Sequence, residues 1–291
     1  MQGVGKKDSA DDGQAATGNR QLVMNRKPSG IVTLITDFGW AGEYVGALKG
    51  AILRVNPRCL IVDITHQIES QNILQASFVL RKSYSYYPPG TVHGVVVDPG
   101  VGTKRRALVV EKDEYLFVGP DNGVFSGLLS AGGKIRARKI ARKEYFLAPV
   151  SDTFHGRDVF APVAGHLSLG LDPSKLGPRV KNLVRTDFPE PRRGRKHLTA
   201  RVLWADSFGN LITNVTRREY FRKLETGFQI QGRGWSIDRL SRTYGEGKPG
   251  QPMALFGSGD LLEVSVNRGN ARNTLGLTPG NSFTIQWREK R

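Results

Sequence analysis

The pattern of apolar and polar positions changes twice along this chain, near residue 30 and near residue 190. Up to residue 29, Gly, Ser, Asp, Gln and Lys follow one another with no period, and 1–29 reads as a flexible extension. From Ile31 the apolar positions become regular. Ile31-Val32-Thr33-Leu34-Ile35 is a continuous run of strand length that ends at Thr36-Asp37. Tyr44, Leu48, Ala51 and Leu53 then recur near helical spacing and stop before Pro57. A second short strand is predicted over 60–63, a helix over 73–83, and a third strand over 92–97, halted by Asp98-Pro99-Gly100. Residues 107–110 and 115–118 read as a strand pair around Lys112-Asp113-Glu114, and Pro120-Asp121-Asn122-Gly123 as a turn into a short helix. Beyond His155-Gly156-Arg157, Asp158 is placed to cap a helix running to about Gly170. Strands apolar on both faces alternating with helices predict an α/β fold over 30–190, with a mainly parallel sheet flanked by helices.

Past Pro191 the pattern shortens. Strands are predicted over 198–204, 211–215, 228–231, 253–256, 261–266 and 283–287, separated by turns and interrupted by no long helix. That spacing predicts a smaller C-terminal β-barrel domain over 191–291.

Composition narrows the setting. A hydrophobic content of 38% excludes a wholly disordered chain. No apolar run approaches the roughly 20 residues that span a bilayer, and the first 30 residues lack a signal-peptide core, so a cytoplasmic protein is expected. The single cysteine, Cys59, leaves no intramolecular disulfide and no cysteine-based zinc site. The net charge of +17 gathers in two runs, from Lys134 to Lys143 and from Arg192 to Lys196. Neither run interleaves aromatic residues for base stacking, so solvated surface charge is expected and a nucleic-acid site is not.

Candidate chemistry sits where strands end, because ligands of open α/β sheets bind outside the carboxyl ends of the strands. Asp37 closes the first strand beside Gly39; a carboxylate there either takes both hydroxyls of a ribose or caps the next helix. The loop lacks the G-x-G-x-x-G dinucleotide fingerprint. Asp98 is followed by a loop reaching Arg105-Arg106, so acid and guanidinium either converge in a crevice or pair to fix the loop. His155 suits acid–base work near neutral pH, but His66 and His93 rank equally on residue type. Asp63, His66 and His155 lack a compact ligand frame, and no metal is expected. Between two C-terminal strands, Asp206, Phe208 and Asn210 offer an acid, a ring and a carboxamide, although the same residues suit a tight turn.

In order and spacing, Thr36-Asp37-Phe38-Gly39, Tyr44-Val45-Gly46, Asp63-Ile64-Thr65-His66, and the segments 97–103, 120–123, 154–158 and 206–214 resemble the S-adenosyl-L-methionine hydroxide adenosyltransferase family. That family is related to the fluorinase and chlorinase enzymes, and the resemblance runs from Ile31 to about Gln286. It implies a homotrimer with ligand sites between subunits and hydrolysis of S-adenosyl-L-methionine, possibly its R sulfonium epimer, to adenosine and L-methionine. By the matching motifs, Asp98, Arg105 and His155 would prepare the attacking water, a combination that the halogenating relatives do not keep. Asp37 would hold the ribose diol and Asp206 the methionine ammonium. Phe208 and Asn210 would contact adenine or the adjoining substrate, and Tyr244 would stack on adenine. Ser258, Glu263 and the backbone of Val266 would be further substrate contacts. The family reaction calls for no metal or redox cofactor. The alternatives are a halide-using adenosyltransferase of the same family and a catalytically inactive, basic RNA-binding protein.

Overall fold

The computed structural model describes residues 27–287. The expected extension therefore lies outside the described residues except for 27–29, where the Ser29 hydroxyl meets that of Thr91 at 3.3 Å.

The first layer is a seven-stranded sheet built from β1 (Ile31–Thr36), β2 (Leu60–Thr65), β3 (Val92–Val96), β4 (Ala107–Lys112), β5 (Tyr115–Pro120), β6 (Ile135–Lys139) and β7 (Arg179–Val180). Its order is β2-β1-β3-β5-β4-β6-β7. The first four strands in that order run parallel, and antiparallel pairing of β4, β6 and β7 extends the sheet. Helices α1 (Tyr44–Val55), α2 (Ile73–Ser83), α3 (Ser126–Ser130) and α4 (Ala161–Ser168) cover both faces. Successive residues of β1 point to opposite faces, as strand geometry demands. Leu34 packs with Leu48, Ile52 and Val163 of α1 and α4, whereas Ile35 packs with Ala76, Leu80 and Leu128 of α2 and α3. Double coverage explains why the parallel strands read as unbroken apolar runs.

Strand β6 was hidden inside the first basic run. Ile135 and Ala137 alternate with Arg136 and Arg138, a period of two in which one side packs against the core and the other carries guanidinium groups. Arg138 Nη1 donates to the Gly177 carbonyl at 3.2 Å, so part of the charge is built into the sheet.

The second layer is a nine-stranded sheet comprising β8 (Arg192–Arg193), β9 (His197–Ala205), β10 (Leu211–Thr216), β11 (Phe228–Gly232), β12 (Trp235–Ile237), β13 (Leu240–Ser241), β14 (Pro252–Phe256), β15 (Leu261–Val266) and β16 (Ser282–Trp287). Its main path is β12-β11-β16-β9-β10-β15-β14-β13, with β8 paired to β9. The end strands β12 and β13 are separated only by Asp238-Arg239, and residues from across the path, including Ile230, Ile237, Leu198 and Ala254, share one core. The sheet is therefore curled into a partial barrel. A helix absent from the sequence expectation, α5 (Arg217–Glu225), inserts Tyr220 and Leu224 into that core. Its apolar residues, Tyr220, Phe221 and Leu224, are few within a charged segment, so its period was masked. The short α6 (Ala271–Leu275) buries Ala271 in the same core.

The two layers meet where Leu74 and Phe78 of α2, with Phe188, pack on Leu203, Trp204, Ile212 and Leu261. The Phe78 and Trp204 rings lie 5.0 Å apart. No helix among the described residues is long and apolar enough to cross a membrane.

His93 of β3 is a packing residue. It is fully buried, stacks on Phe117 at 5.1 Å and bonds the Thr33 hydroxyl at 2.7 Å through Nδ1, while Nε2 has no hydrogen-bond partner. Burial pushes its imidazole down to about 3 from the ordinary 6.5. The unfolded chain then binds a proton that the native chain refuses, so stability falls as pH drops from 6.5 toward 3. This group contributes a slope of up to about 1.4 kcal/mol per pH unit. Urea unfolding of wild type and His93→Phe at pH 7 and pH 5 should show a shallower pH dependence in the variant; equal slopes would contradict the assignment.

Candidate active site

The centre of the site forms just past β3. Pro99-Gly100 breaks the strand, and the loop folds back through Val101 N–H to the Asp98 carbonyl at 3.2 Å and Thr103 N–H to the Gly100 carbonyl at 3.2 Å. Gly102 takes φ +78°, and a side chain there would strike the Asp152 carbonyl, so glycine lets the two loops touch. This reversal carries Arg105 back onto Asp98. Arg105 Nε donates to Asp98 Oδ1 at 2.9 Å, and Nη2 donates to Oδ2. The pair is bidentate and nearly dry, with side-chain exposures of 6% for Asp98 and 10% for Arg105. The guanidinium lies over the Phe160 ring, 5.2 Å from its centroid.

His155 joins this pair from the far end of the domain. It opens a π-helical turn, Gly156–Phe160, in which the Ala161 N–H reaches the Gly156 carbonyl before α4 continues. Arg105 Nη2 also approaches His155 Nδ1 at 2.9 Å. A guanidinium can only donate, so Nδ1 accepts, and the neutral ring carries its proton on Nε2. Burial and then the Arg105 charge push the imidazole below its ordinary value, against the pull of Asp98, Asp158 and Asp152. Phe154 holds the segment edge-on against Phe38 at 5.8 Å and Tyr44 at 5.3 Å, which ties the His155 turn to the end of β1.

Asp158 does not cap the helix. It lies inside the π-turn, buried, where Oδ2 accepts the Ser151 N–H at 2.8 Å and Arg157 Nε donates to Oδ1 at 2.6 Å. The turn begins earlier than predicted because the extra residue of the π-register starts at Gly156. Asp37 follows β1 and is half-buried; its Oδ2 accepts the Gln71 N–H at 2.8 Å. It is thus held by the loop before α2 rather than capping α1, whose first turn has no side-chain cap. His66 belongs to a different cluster, bonded to Asp63 and Thr36, so it does not join His155.

Three of the C-terminal candidates, Asp206, Ser258 and Glu263, line a small cavity of about 170 Å³ at the layer junction, together with Trp204, Phe78 and Lys82 among others. Asp206 shapes its own turn: Oδ1 accepts the N–H groups of Phe208 at 3.0 Å and Asn210 at 2.8 Å, and Oδ2 accepts Asn210 Nδ2 at 2.9 Å. Phe208 projects from this turn, 77% exposed. Glu263 is buried and accepts the Tyr244 hydroxyl at 2.6 Å. Burial pushes the Glu263 carboxyl up, and nearby Asp206 pushes it the same way, while the Tyr244 bond opposes them. Val266 is buried in β15, and its carbonyl accepts the Gly269 N–H at 3.0 Å. Phe78 and Lys82 were not foreseen as lining residues; their i, i+4 spacing on α2 was the available signal. No hydrogen bond or ion pair among the described residues joins this group to Asp98, Arg105 and His155.

An α/β sheet with Asp98, Arg105 and His155 gathered at its edge is joined to a curled β domain whose cavity is lined by Asp206, Glu263 and Lys82. Family models for the SAM hydroxide adenosyltransferase N-terminal domain and C-terminal domain match residues 32–177 and 200–284. The chain belongs to the SAM hydroxide adenosyltransferase family. It is 40% identical over 86% of its length to a Thermus thermophilus protein named (R)-S-adenosyl-L-methionine hydrolase, covering 96% of that protein. A Nocardia brasiliensis fluorinase is more distant, at 24% identity over 90% of this chain and 97% of the fluorinase. The crystal structure of an uncharacterized conserved protein from Thermotoga maritima superposes with a TM-score of 0.79 at 34% identity, covering 88% of this chain and 99% of that one.

Burial first, and then the Arg105 contact, hold the His155 imidazole below its ordinary value. In NMR titration of the wild-type protein, the His155 ring should protonate below the ordinary 6.5. Arg105→Gln should raise that midpoint, because the repelling cation is gone while Asp98 and Asp158 remain. A midpoint that stays in place or falls would break the proposed contact.

Proposed function

We propose that this chain hydrolyses S-adenosyl-L-methionine, in its R sulfonium form, to adenosine and L-methionine. The observation that carries the reading is the dry Asp98–Arg105 pair bonded onward to His155, in a chain closely similar to relatives named for that hydrolysis. The sulfonium makes C5′ electrophilic and departs as a neutral thioether, so the leaving group needs no acid. Water is the weak partner and must lose a proton as it attacks. Asp98 takes that proton, the Nε2–H of His155 orients the oxygen, and Arg105 offsets the developing hydroxide charge. Holding water in line with C5′ supplies further acceleration through positioning. No step calls on a metal or redox cofactor.

In this reading Asp37 takes the ribose hydroxyls, and Asp206 with Glu263 receives the ammonium-bearing end. Ser258, Asn210, Phe208, Tyr244 and the Val266 backbone complete the substrate contacts. The two groups of residues belong to different layers of one chain, and Trp40, Tyr44, Phe208 and Tyr244 leave large aromatic surface exposed beside them. Both features favour sites completed between subunits of a homotrimer. Light scattering should then give about 96 kDa, three times the 32.1 kDa chain; a monomer would contradict the shared site. A cytoplasmic setting belongs to the same proposal.

The deciding assay is chromatography of products from the purified protein, with and without chloride or fluoride. Adenosine and methionine support the proposal; a 5′-halo-adenosine would establish the halide reading instead. Salt-sensitive RNA affinity with no adenosine release would favour the RNA-binding alternative. Asp98→Ala and His155→Ala should each lower kcat by about 10²-fold or more, with KM changed only severalfold. Asp37→Ala should raise KM by about tenfold or more through loss of charged hydrogen bonds. Equal modest effects from all three variants would overturn the division of roles.

A further inference from the structure

The Asp63-Ile64-Thr65-His66 motif has no part in the proposed chemistry, yet it forms a tightly bonded polar cluster beneath the candidate site. Along β1 and β2 the parallel register runs regularly to Leu34–Asp63, then skips to Ile35–Thr65. That irregularity locally re-aims β2 and brings His66, fully buried, beside the end of β1. His66 Nδ1 lies 2.8 Å from the Thr36 hydroxyl, and Nε2 lies 3.0 Å from Asp63 Oδ1. Lys49 of α1 closes the chain with Nζ donating to Asp63 Oδ2 at 2.5 Å.

One hydrogen-bond assignment satisfies every group. Thr36 Oγ1 accepts the Phe38 N–H at 3.3 Å and gives its own proton to Nδ1, leaving the Nε2–H to Asp63. Burial alone would push the Asp63 carboxyl up, but its Lys49 and His66 bonds outweigh that and hold it below the ordinary carboxylate range. Trp40 covers the ring edge-on at 4.7 Å.

The cluster grips both sides of Asp37. Thr36 precedes it, and its hydroxyl takes the Phe38 N–H that follows it. The Gly39 N–H donates to the His66 carbonyl at 2.8 Å, and the Ile68 N–H to the Thr36 carbonyl at 3.3 Å. The His66 loop then runs on to Gln71, whose N–H holds Asp37 Oδ2 and whose φ of +64° is unusual for a residue with a side chain. No other group on this face binds the carboxylate in place among the described residues.

We infer that Lys49, Asp63, His66 and Thr36 are positioning residues that set the Asp37 carboxylate for ligand, and that Gln71 is the last link. This rests on the reading of Asp37 as a substrate-binding acid. The cluster reaches substrate only through the β1 loop, so its loss weakens binding and leaves water activation by Asp98 and His155 intact.

The test is steady-state hydrolysis of S-adenosyl-L-methionine by the full-length protein and its Asp63→Asn, His66→Gln, Lys49→Met and Asp37→Ala variants, each checked for folding by circular dichroism and thermal melting. Folded Asp63→Asn and His66→Gln should raise KM about tenfold while kcat stays within threefold. In the double variant Asp37→Ala/Asp63→Asn, KM should match that of Asp37→Ala alone, because both changes act through one carboxylate. A general loss of packing would add to the Asp37→Ala effect instead. If His66→Gln fails to fold, Lys49→Met, at the half-exposed end of the chain, carries the same comparison. KM unchanged in the cluster variants, or effects that add to Asp37→Ala, would overturn the inference. An Asp37→Ala variant with unchanged KM would instead overturn the role of Asp37 itself.

Discussion

The Asp98–Arg105 pair is the interaction on which the strand-end geometry depends. Both charges are almost withdrawn from water, which costs several kcal/mol per ion unless geometry and further hydrogen bonds compensate. The compensation is visible: two parallel N–H···O contacts, a ring beneath the guanidinium, and a donor left over for His155. Removing either charge would strand the other. The loop from Asp98 to Arg105, with its glycine at Gly102, is therefore shaped by the pair as much as it shapes it. Because the same guanidinium also faces His155, one residue determines both the acid's orientation and the imidazole's tautomer.

That pair works only because three separated segments arrive at the same sheet edge. β1 and β3 are parallel neighbours, so their carboxyl ends lie side by side. The π-turn before α4 delivers His155 to that edge, and the Phe38, Tyr44 and Phe154 rings pack the junction. The curled C-terminal sheet borders a cavity at the α2 contact, where Asp206 holds its own turn, Glu263 is gripped by Tyr244 and Lys82 of α2 lines the same cavity. The two family models match the two layers separately, one over residues 32–177 and the other over 200–284.

Most regular elements were legible along the chain. The continuous apolar run of β1, the helical spacing of α1 and the breaks at Pro57 and Pro99 express local preferences that survive folding. Two of those that were not show why. β6 carries guanidinium groups on every second residue, so its period of two looked like a basic patch; α5 carries charges on most positions, so its narrow apolar stripe was obscured. The Arg192-Arg193 pair, part of the second basic run, forms a short exposed strand paired with β9. In β6 and α5, tertiary packing supplied the burial that local composition concealed.

By itself the sequence determined the two-part architecture, the strand-end acids and the family resemblance, because these lie in periodicity, breakers and ordered motifs. Residue type alone did not rank the three histidines; only the matched motifs singled out His155. Their fates diverge through the partners that folding brings them: His93 among aromatic rings in the sheet, His66 between nearby Asp63 and distant Thr36, and His155 against an arginine fifty positions earlier. Only the folded chain brings such groups within bonding distance, and the charge, burial and tautomer of an imidazole follow from those neighbours rather than from its place in the sequence.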